Sequence, residues 1–307
     1  MNKCYGCGAY CENNLCERCF RIKNYNDYKK IDIKESLLTE ILDNIKKNDL
    51  TVLVIDFLSI PQSFDIFLKK IKGNVILVLS KFDLCPSKNE KRCIDYFSFL
   101  DLNIVASFCV SSQNNYNLDI LYQSIINNKS NNVYFVGYTN SGKSSLINKL
   151  IYNYSDYKSS ITVSPLSNTT LDVINVPLLD FNLIDTPGII NKNDITNYLS
   201  INMIKKLSKL KRIKPKSYQI KSKQYIYIED IIKIEATDDI IVYIPPNFSV
   251  KRYYQDKKGM IGRENVYNIS TFSDVVIPGL CFIKVKSGIV KVTTIYDIVP
   301  YLRKSFI

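Results

Sequence analysis

Val133-Tyr-Phe-Val-Gly137-Tyr-Thr-Asn140-Ser141-Gly142-Lys143-Ser144-Ser145-Leu146-Ile147-Asn-Lys-Leu150 reads as an apolar strand that runs into Gly-x-x-x-x-Gly-Lys-Ser and then into an amphipathic helix. A strand before and a helix after are the context in which this pattern is a phosphate-binding loop. Glycines at 137 and 142 let backbone N–H groups close around phosphate, at a helix N-terminus where the dipole favours negative charge. Lys143 is expected to reach the β- and γ-phosphates and the Ser144 hydroxyl to ligate Mg²⁺. Ser141 and Ser145 are assigned to the same pocket.

Downstream, Leu179-Asp-Phe-Asn-Leu-Ile-Asp185-Thr-Pro-Gly188 is a second apolar run ending in an acid and a glycine. Asp185 is expected to hold Mg²⁺ through a bound water, and the Gly188 N–H to meet a γ-phosphate. Between the two segments lies the polar stretch Ser164-Pro-Leu-Ser-Asn-Thr169-Thr170-Leu-Asp. It has the length of a first switch loop, in which Thr170, with Thr169 as its competitor, would complete the Mg²⁺ shell.

A base-reading motif should follow, but residues 189–307 contain none. It lies upstream. Asn74-Val-Ile-Leu-Val-Leu-Ser80-Lys81-Phe-Asp83 is a strand ending in a carboxylate placed to accept two hydrogen bonds from guanine, with Lys81 over the base face and Ser80 bracing the loop. An unpaired buried carboxylate costs enough to reject adenine strongly. Ile104-Val-Ala-Ser-Phe-Cys-Val-Ser111-Ser112 is a further strand ending in the small-residue loop that backs the guanine. The parts are complete but rotated in order. The expected fold is therefore α/β: a circularly permuted P-loop GTPase domain with a doubly wound, mostly parallel sheet, whose site is assembled from strand tips.

Five of the nine cysteines fall in the first 19 residues, and four form two Cys-x-x-Cys pairs, Cys4 with Cys7 and Cys16 with Cys19. Two such pairs at short separation are a tetrahedral zinc site by spacing, and four thiolates leave no open position for catalysis. Zn²⁺ here is expected to be structural. Cys11 is left over.

The chain contains no histidine, which removes every Ser/His, Cys/His and His-metal scheme. Its net charge of +12 favours a polyanionic partner, because neutralised phosphates release condensed counterions. Residues 205–223 hold nine Lys or Arg and no acid, and read equally as a basic linker or as a contact with an RNA backbone. Arg18-Cys19-Phe20-Arg21-Ile22-Lys23 is open in the same way, as an RNA contact or a solvated face. Beyond residue 223, short β-rich runs suggest a β-rich α+β domain in which Lys251, Arg252, Tyr253 and Tyr254 either meet RNA or cover a sheet edge. The expected organisation is a zinc module at 1–28, the GTPase domain at 29–204, a basic linker at 205–222 and an interaction domain at 223–307. No apolar run reaches the length of a membrane span and no signal-peptide stretch opens the sequence, so a cytoplasmic protein is expected.

The two cysteine pairs, SKFD, GYTNSGKSSLIN, SNTTLD and DTPGI, in this order, resemble the YqeH family of circularly permuted GTPases that act in assembly of the small ribosomal subunit. The resemblance implies GTP and GDP as ligands and the small subunit with its rRNA as partner. The family's base-reading motif usually begins with Asn, where this chain has Ser80, and its zinc segment is usually longer. Ile189 stands where Ras-like enzymes place a catalytic Gln. Related GTPases with an apolar residue there use K⁺ held partly by an Asn of the phosphate loop, a position filled here by Asn140. The rival readings are an RNA-binding assembly scaffold with a weak or vestigial nucleotide site, and an ATPase.

Overall fold

The computed structural model describes residues 2–4, 10–12, 16, 19, 35–60, 68–87, 89–154, 174–177, 181–208, 212–256 and 259–305. The chain divides into two compact units. One comprises Met1–Phe57, Phe64–Asp83 and Asn89–Asn191; the other comprises Leu58–Ser63, Leu84–Lys88 and Lys192–Ile307. The first unit begins with two short antiparallel strands, β1 (Asn2–Lys3) and β2 (Tyr10–Cys11).

Its main body follows as α1 (Glu35–Asn44), β3 (Leu50–Asp56), β4 (Asn74–Ser80), α2 (Glu90–Asp95), β5 (Ile104–Cys109), α3 (Leu118–Asn127), β6 (Asn132–Gly137), α4 (Lys143–Tyr154), β7 (Ile174–Pro177) and β8 (Asn182–Asp185). The six strands form one sheet in the order β5-β4-β3-β6-β8-β7. All pairings are parallel except that of edge strand β7 with β8. Leu-Thr-Val-Leu-Val-Ile-Asp of β3 is buried at every position, as a strand covered on both faces must be. Leu121 and Ile125 of α3 and Leu146, Ile147 and Leu150 of α4 belong to the same core as Val52, Val133 and Phe135. That is the apolar side expected for the helix after the phosphate loop. The Asn89 side-chain oxygen accepts from the Arg92 N–H at 3.1 Å and caps α2.

From β3 the chain adds β4 and β5 on one side, then returns to lay β6 on the other. The sheet therefore reverses direction of growth between β3 and β6, and ligands bind at such a crevice, outside the carboxyl ends of the strands. In spatial order the phosphate-loop strand β6 is central. In chain order it comes after β3, β4 and β5, which include the Ser-Lys-Phe-Asp strand, so the permutation inferred from the motifs is present in the topology.

The second unit contains α5 (Ile201–Ser208), β9 (Lys214–Tyr218), β10 (Tyr225–Ile228), β11 (Ile232–Ala236), β12 (Ile240–Ile244), β13 (Val250–Tyr253), β14 (Arg263–Ile269), β15 (Ser273–Ile277), β16 (Cys281–Val285), β17 (Gly288–Thr294) and β18 (Tyr301–Lys304). Its strands make two antiparallel five-stranded sheets, β13-β10-β11-β17-β14 and β18-β15-β16-β12-β9. The region is β-rich as expected; α5 precedes the 223–307 segment, in which the described regular elements are all strands. The tract read as a basic linker is in part regular structure, because Lys214–Tyr218 pairs with β12 as an edge strand. Lys214 is exposed there and Lys216 half-buried, and lysine on a sheet edge discourages pairing with another chain.

A buried ion pair anchors this unit. Arg303 of β18 lies 3.2 Å from Asp274 of β15, both side chains are inaccessible, and the guanidinium sits 4.9 Å above the Phe282 ring. Burial pushes the Asp274 carboxyl above its ordinary range although Arg303 pulls it down. Half of such a pair is costly to leave behind, whereas an apolar replacement of both is often neutral. Arg303→Met is therefore expected to destabilise the protein by about 3–5 kcal/mol. Arg303→Met with Asp274→Leu is expected to recover most of that loss in a denaturant melt.

Candidate functional site

Gly137 closes β6 beside Val54 of β3, where a Cβ would stand 2.3 Å from the Val54 carbonyl oxygen. Only glycine allows the two strands this approach at the point where the phosphate loop departs. The loop turns through left-handed residues, Asn140 at φ 62° and Gly142 at φ 85°, before α4 starts at Lys143. Its far side is zipped to the Asp-Thr-Pro-Gly segment. The Thr139 N–H donates to the Ile189 carbonyl at 2.8 Å and the Ile189 N–H to the Gly137 carbonyl at 3.0 Å. A Cβ on Gly188 would come within 2.9 Å of Thr139 Cγ2, so Gly188 is also a packing requirement. Ile189 itself is buried and offers no polar group.

Asp185 ends β8 opposite Phe135 of β6. Its Oδ1 lies 2.9 Å from Lys143 Nζ, and its Oδ2 accepts from the Ser144 hydroxyl at 3.1 Å. Lys143 Nζ also donates to the Thr186 carbonyl, and the Thr186 hydroxyl donates to the Phe135 carbonyl at 2.8 Å. Lysine, serine and aspartate from two sequence-distant motifs thus share one buried polar centre. A hydroxyl and a carboxylate side by side are the hard oxygen donors that Mg²⁺ takes, so these residues fit the ion. Ser141 is buried in the loop and Ser145 half-buried in the first turn of α4. Thr169 and Thr170 lie outside the described residues.

On the other side of the crevice, β3 and β4 run in register with Asp56 opposite Ser80. The Ser80 hydroxyl lies 3.1 Å from the Ile55 carbonyl and within hydrogen-bond distance of the Ser141 carbonyl. One short side chain therefore spans from the end of β4 to the Gly-x-x-x-x-Gly-Lys-Ser loop. Lys81, at φ 54°, places its ammonium 2.8 Å from Asp56 Oδ2. Its stem lies against Gly142, where a Cβ would be 3.7 Å from Lys81 Cε.

Asp83 Oδ1 accepts from the Ser111 hydroxyl at 2.7 Å. Ser111 is held in turn by paired backbone hydrogen bonds with Tyr116, and Tyr116 stacks on Phe82 with ring centroids 6.0 Å apart. The Tyr116 hydroxyl donates to Glu90. Ser112 sits half-buried in the turn that follows Ser111. The Ser-Lys-Phe-Asp loop after β4 and the Ser111 loop after β5 are thus one hydrogen-bonded unit. At the end of β5, burial pushes the Cys109 thiol well above its ordinary range, with Cys93 and Glu90 adding to the shift, so this cysteine is no nucleophile.

Sequence reading singled out neither Asp56 nor Tyr116. Asp56 had one legible signal, an acid closing an apolar strand. Its partner depends on the β3–β4 register, which motif spacing does not contain. Tyr116 had none.

In the N-terminal segment, the sulfurs of Cys4, Cys16 and Cys19 lie within 4.8 Å of one another. The Cys16 N–H donates to Cys4 Sγ at 3.2 Å and the Cys19 N–H to Cys16 Sγ at 3.5 Å. Backbone donors to sulfur suit thiolates, and a soft donor set of this kind fits zinc. Cys7 lies outside the described residues. Cys11 packs against the cluster without joining it.

A family model described as 50S ribosome-binding GTPase matches residues 132–244. The Uncharacterized protein YqeH of Bacillus subtilis (strain 168) is 32% identical over 255 residues, which cover 78% of this chain and 70% of that protein. The mitochondrial Genetic interactor of prohibitins 3 of Saccharomyces cerevisiae (strain ATCC 204508 / S288c) is 30% identical over 156 residues, 48% of this chain and 27% of that protein. Among solved structures, YjeQ from Thermotoga maritima matches at 19% identity and a TM-score of 0.31, over 47% of this chain and 49% of that one. GNP-bound YlqF from T. maritima matches at 22% identity and a TM-score of 0.34, over 52% and 60%. With the motifs, the permuted strand order and a relative matched over most of both chains, this protein belongs to the YqeH family and carries its GTPase domain.

Proposed function

We propose that this GTPase is a switch in assembly of the small ribosomal subunit, with GTP read by the base loops and hydrolysed at the phosphate loop. The observation that carries the reading is the Ser80 bridge. It joins the base side to the phosphate side, so that a single guanine nucleotide would be gripped at both ends. The YqeH resemblance and the net charge of +12 support a ribosomal partner.

In this reading Asp83, oriented by Ser111, accepts from guanine N1–H and N2–H, and Lys81 covers the base. Lys143 and the loop N–H groups hold the phosphates, and the Gly188 N–H meets the γ-phosphate. Ser144 and Asp185 would hold Mg²⁺, which when bound neutralises charge on the phosphoryl oxygens. Thr170 is kept in that role by its motif alone. Because Ile189 cannot orient water, Asn140 is assigned to a K⁺ ion that supplies charge where an arginine finger would sit. The four cysteines Cys4, Cys7, Cys16 and Cys19 are assigned to structural Zn²⁺.

The test is cosedimentation of the full chain with isolated small and large ribosomal subunits in KCl, with a non-hydrolysable GTP analogue, GDP or the matching ATP analogue. Binding to the small subunit with the GTP analogue alone is expected. Capture by the large subunit instead would move the switch to the partner named in the matched family description. Equal binding in every nucleotide state would favour the RNA-binding scaffold.

Turnover is expected to be at least several-fold faster in KCl than in NaCl, with Asn140→Ala removing the difference. Identical rates in both salts would end the K⁺ assignment. Purified protein is expected to carry one zinc per chain by metal analysis, and Cys16→Ser to lose it while GDP affinity is retained.

A further inference from the structure

We infer that Asp56 is a positioning residue for guanine-nucleotide binding, acting through Lys81; the inference rests on the base-reading role proposed for Lys81 and Asp83. Asp56 closes β3 at the carboxyl edge of the sheet and is 7% exposed. Register sets it directly opposite Ser80, one residue before the lysine it holds at 2.8 Å. Lys81 needs that hold for two reasons. Its backbone is left-handed at φ 54°, a conformation that costs a non-glycine residue energy unless its surroundings fix it. Its side chain is a flexible four-carbon stem, whose placement over a base loses rotamer freedom on binding unless already lost.

The strand above supplies the rest of the clamp. The Ser80 hydroxyl reaches Ile55 O, so consecutive residues of the β4 end are tied to consecutive residues of the β3 end. The Lys81 stem then lies against Gly142 of the phosphate loop. With Ser80 short, the ion pair fixes the part of the loop that the hydroxyl cannot reach. Asp56 also neutralises the Lys81 ammonium locally, so the charge that selects the base is left to Asp83. Loss of Asp56 should therefore weaken binding of any purine nucleotide that lies under Lys81, without changing which base is preferred.

The experiment measures Kd for GDP, IDP and ADP and kcat at saturating GTP for the full chain. The variants are Asp56→Asn, Lys81→Met and the double variant. Asp56→Asn is expected to raise Kd for GDP and IDP by the same factor, about tenfold, with kcat within twofold of the unsubstituted protein. In the Lys81→Met background it is expected to change Kd no further. An unchanged GDP Kd, a kcat loss without a Kd change, or full additivity with Lys81→Met would overturn the inference. If Asp56→Asn does not fold, Lys81→Met alone decides, because an unchanged GDP Kd for it also overturns the inference. Failure of the base-reading role is separately visible, as an unsubstituted chain that binds ADP as tightly as GDP.

Discussion

Every part of the nucleotide site hangs from the carboxyl edge of β3. This strand is the one whose two neighbours carry the two sides of the crevice, β4 with Ser80 and Lys81 at its end and β6 with the phosphate loop. Parallel register fixes their heights, with Asp56 beside Ser80 and Val54 beside Gly137. The close approach at Gly137 and the ion pair to Lys81 are consequences of that placement. A one-residue slip in either pairing would turn the tip residues to the opposite face of the sheet. Full burial of β3 on both faces is what makes the register costly to violate.

The polar centre around Asp185 illustrates how the sheet turns sequence distance into chemistry. Lys143 and Ser144 belong to a helix start, Asp185 to a strand end, and Thr186 is hydrogen-bonded to the strand between them. None of these groups is buried alone. Each charge has an opposite charge or a carbonyl within hydrogen-bond distance, the condition under which ionised groups persist in an interior. The base side follows the same rule with Asp83, Ser111 and Tyr116.

Much of this was legible in the sequence because motifs with a fixed backbone geometry announce themselves by spacing. The phosphate loop, the Asp-Thr-Pro-Gly segment and Ser-Lys-Phe-Asp each follow an apolar run, and those runs are β6, β8 and β4. The clustering of Cys4, Cys16 and Cys19 was legible for the same reason. Asp56 and Tyr116 were not, because their partners are set by strand pairing and by a loop closure. The basic tract near residue 214 was read from charge alone, and charge does not tell an edge strand from a connector. Two-period signal there was weak because Pro215 and the lysines fit an edge and little else.

The permuted strand order also bears on how the chain is made. Synthesis delivers β3, β4 and β5 first, and the strand that will lie on the other flank of β3 arrives only at Asn132–Gly137. Until then the strand buried at every position in the finished sheet is an open edge with unpaired N–H and C=O groups. Parallel pairs between such distant segments close slowly. The nascent first half is thus the aggregation-exposed stage of this protein's life, and the arrival of the phosphate-loop strand ends that exposure before any nucleotide can be held.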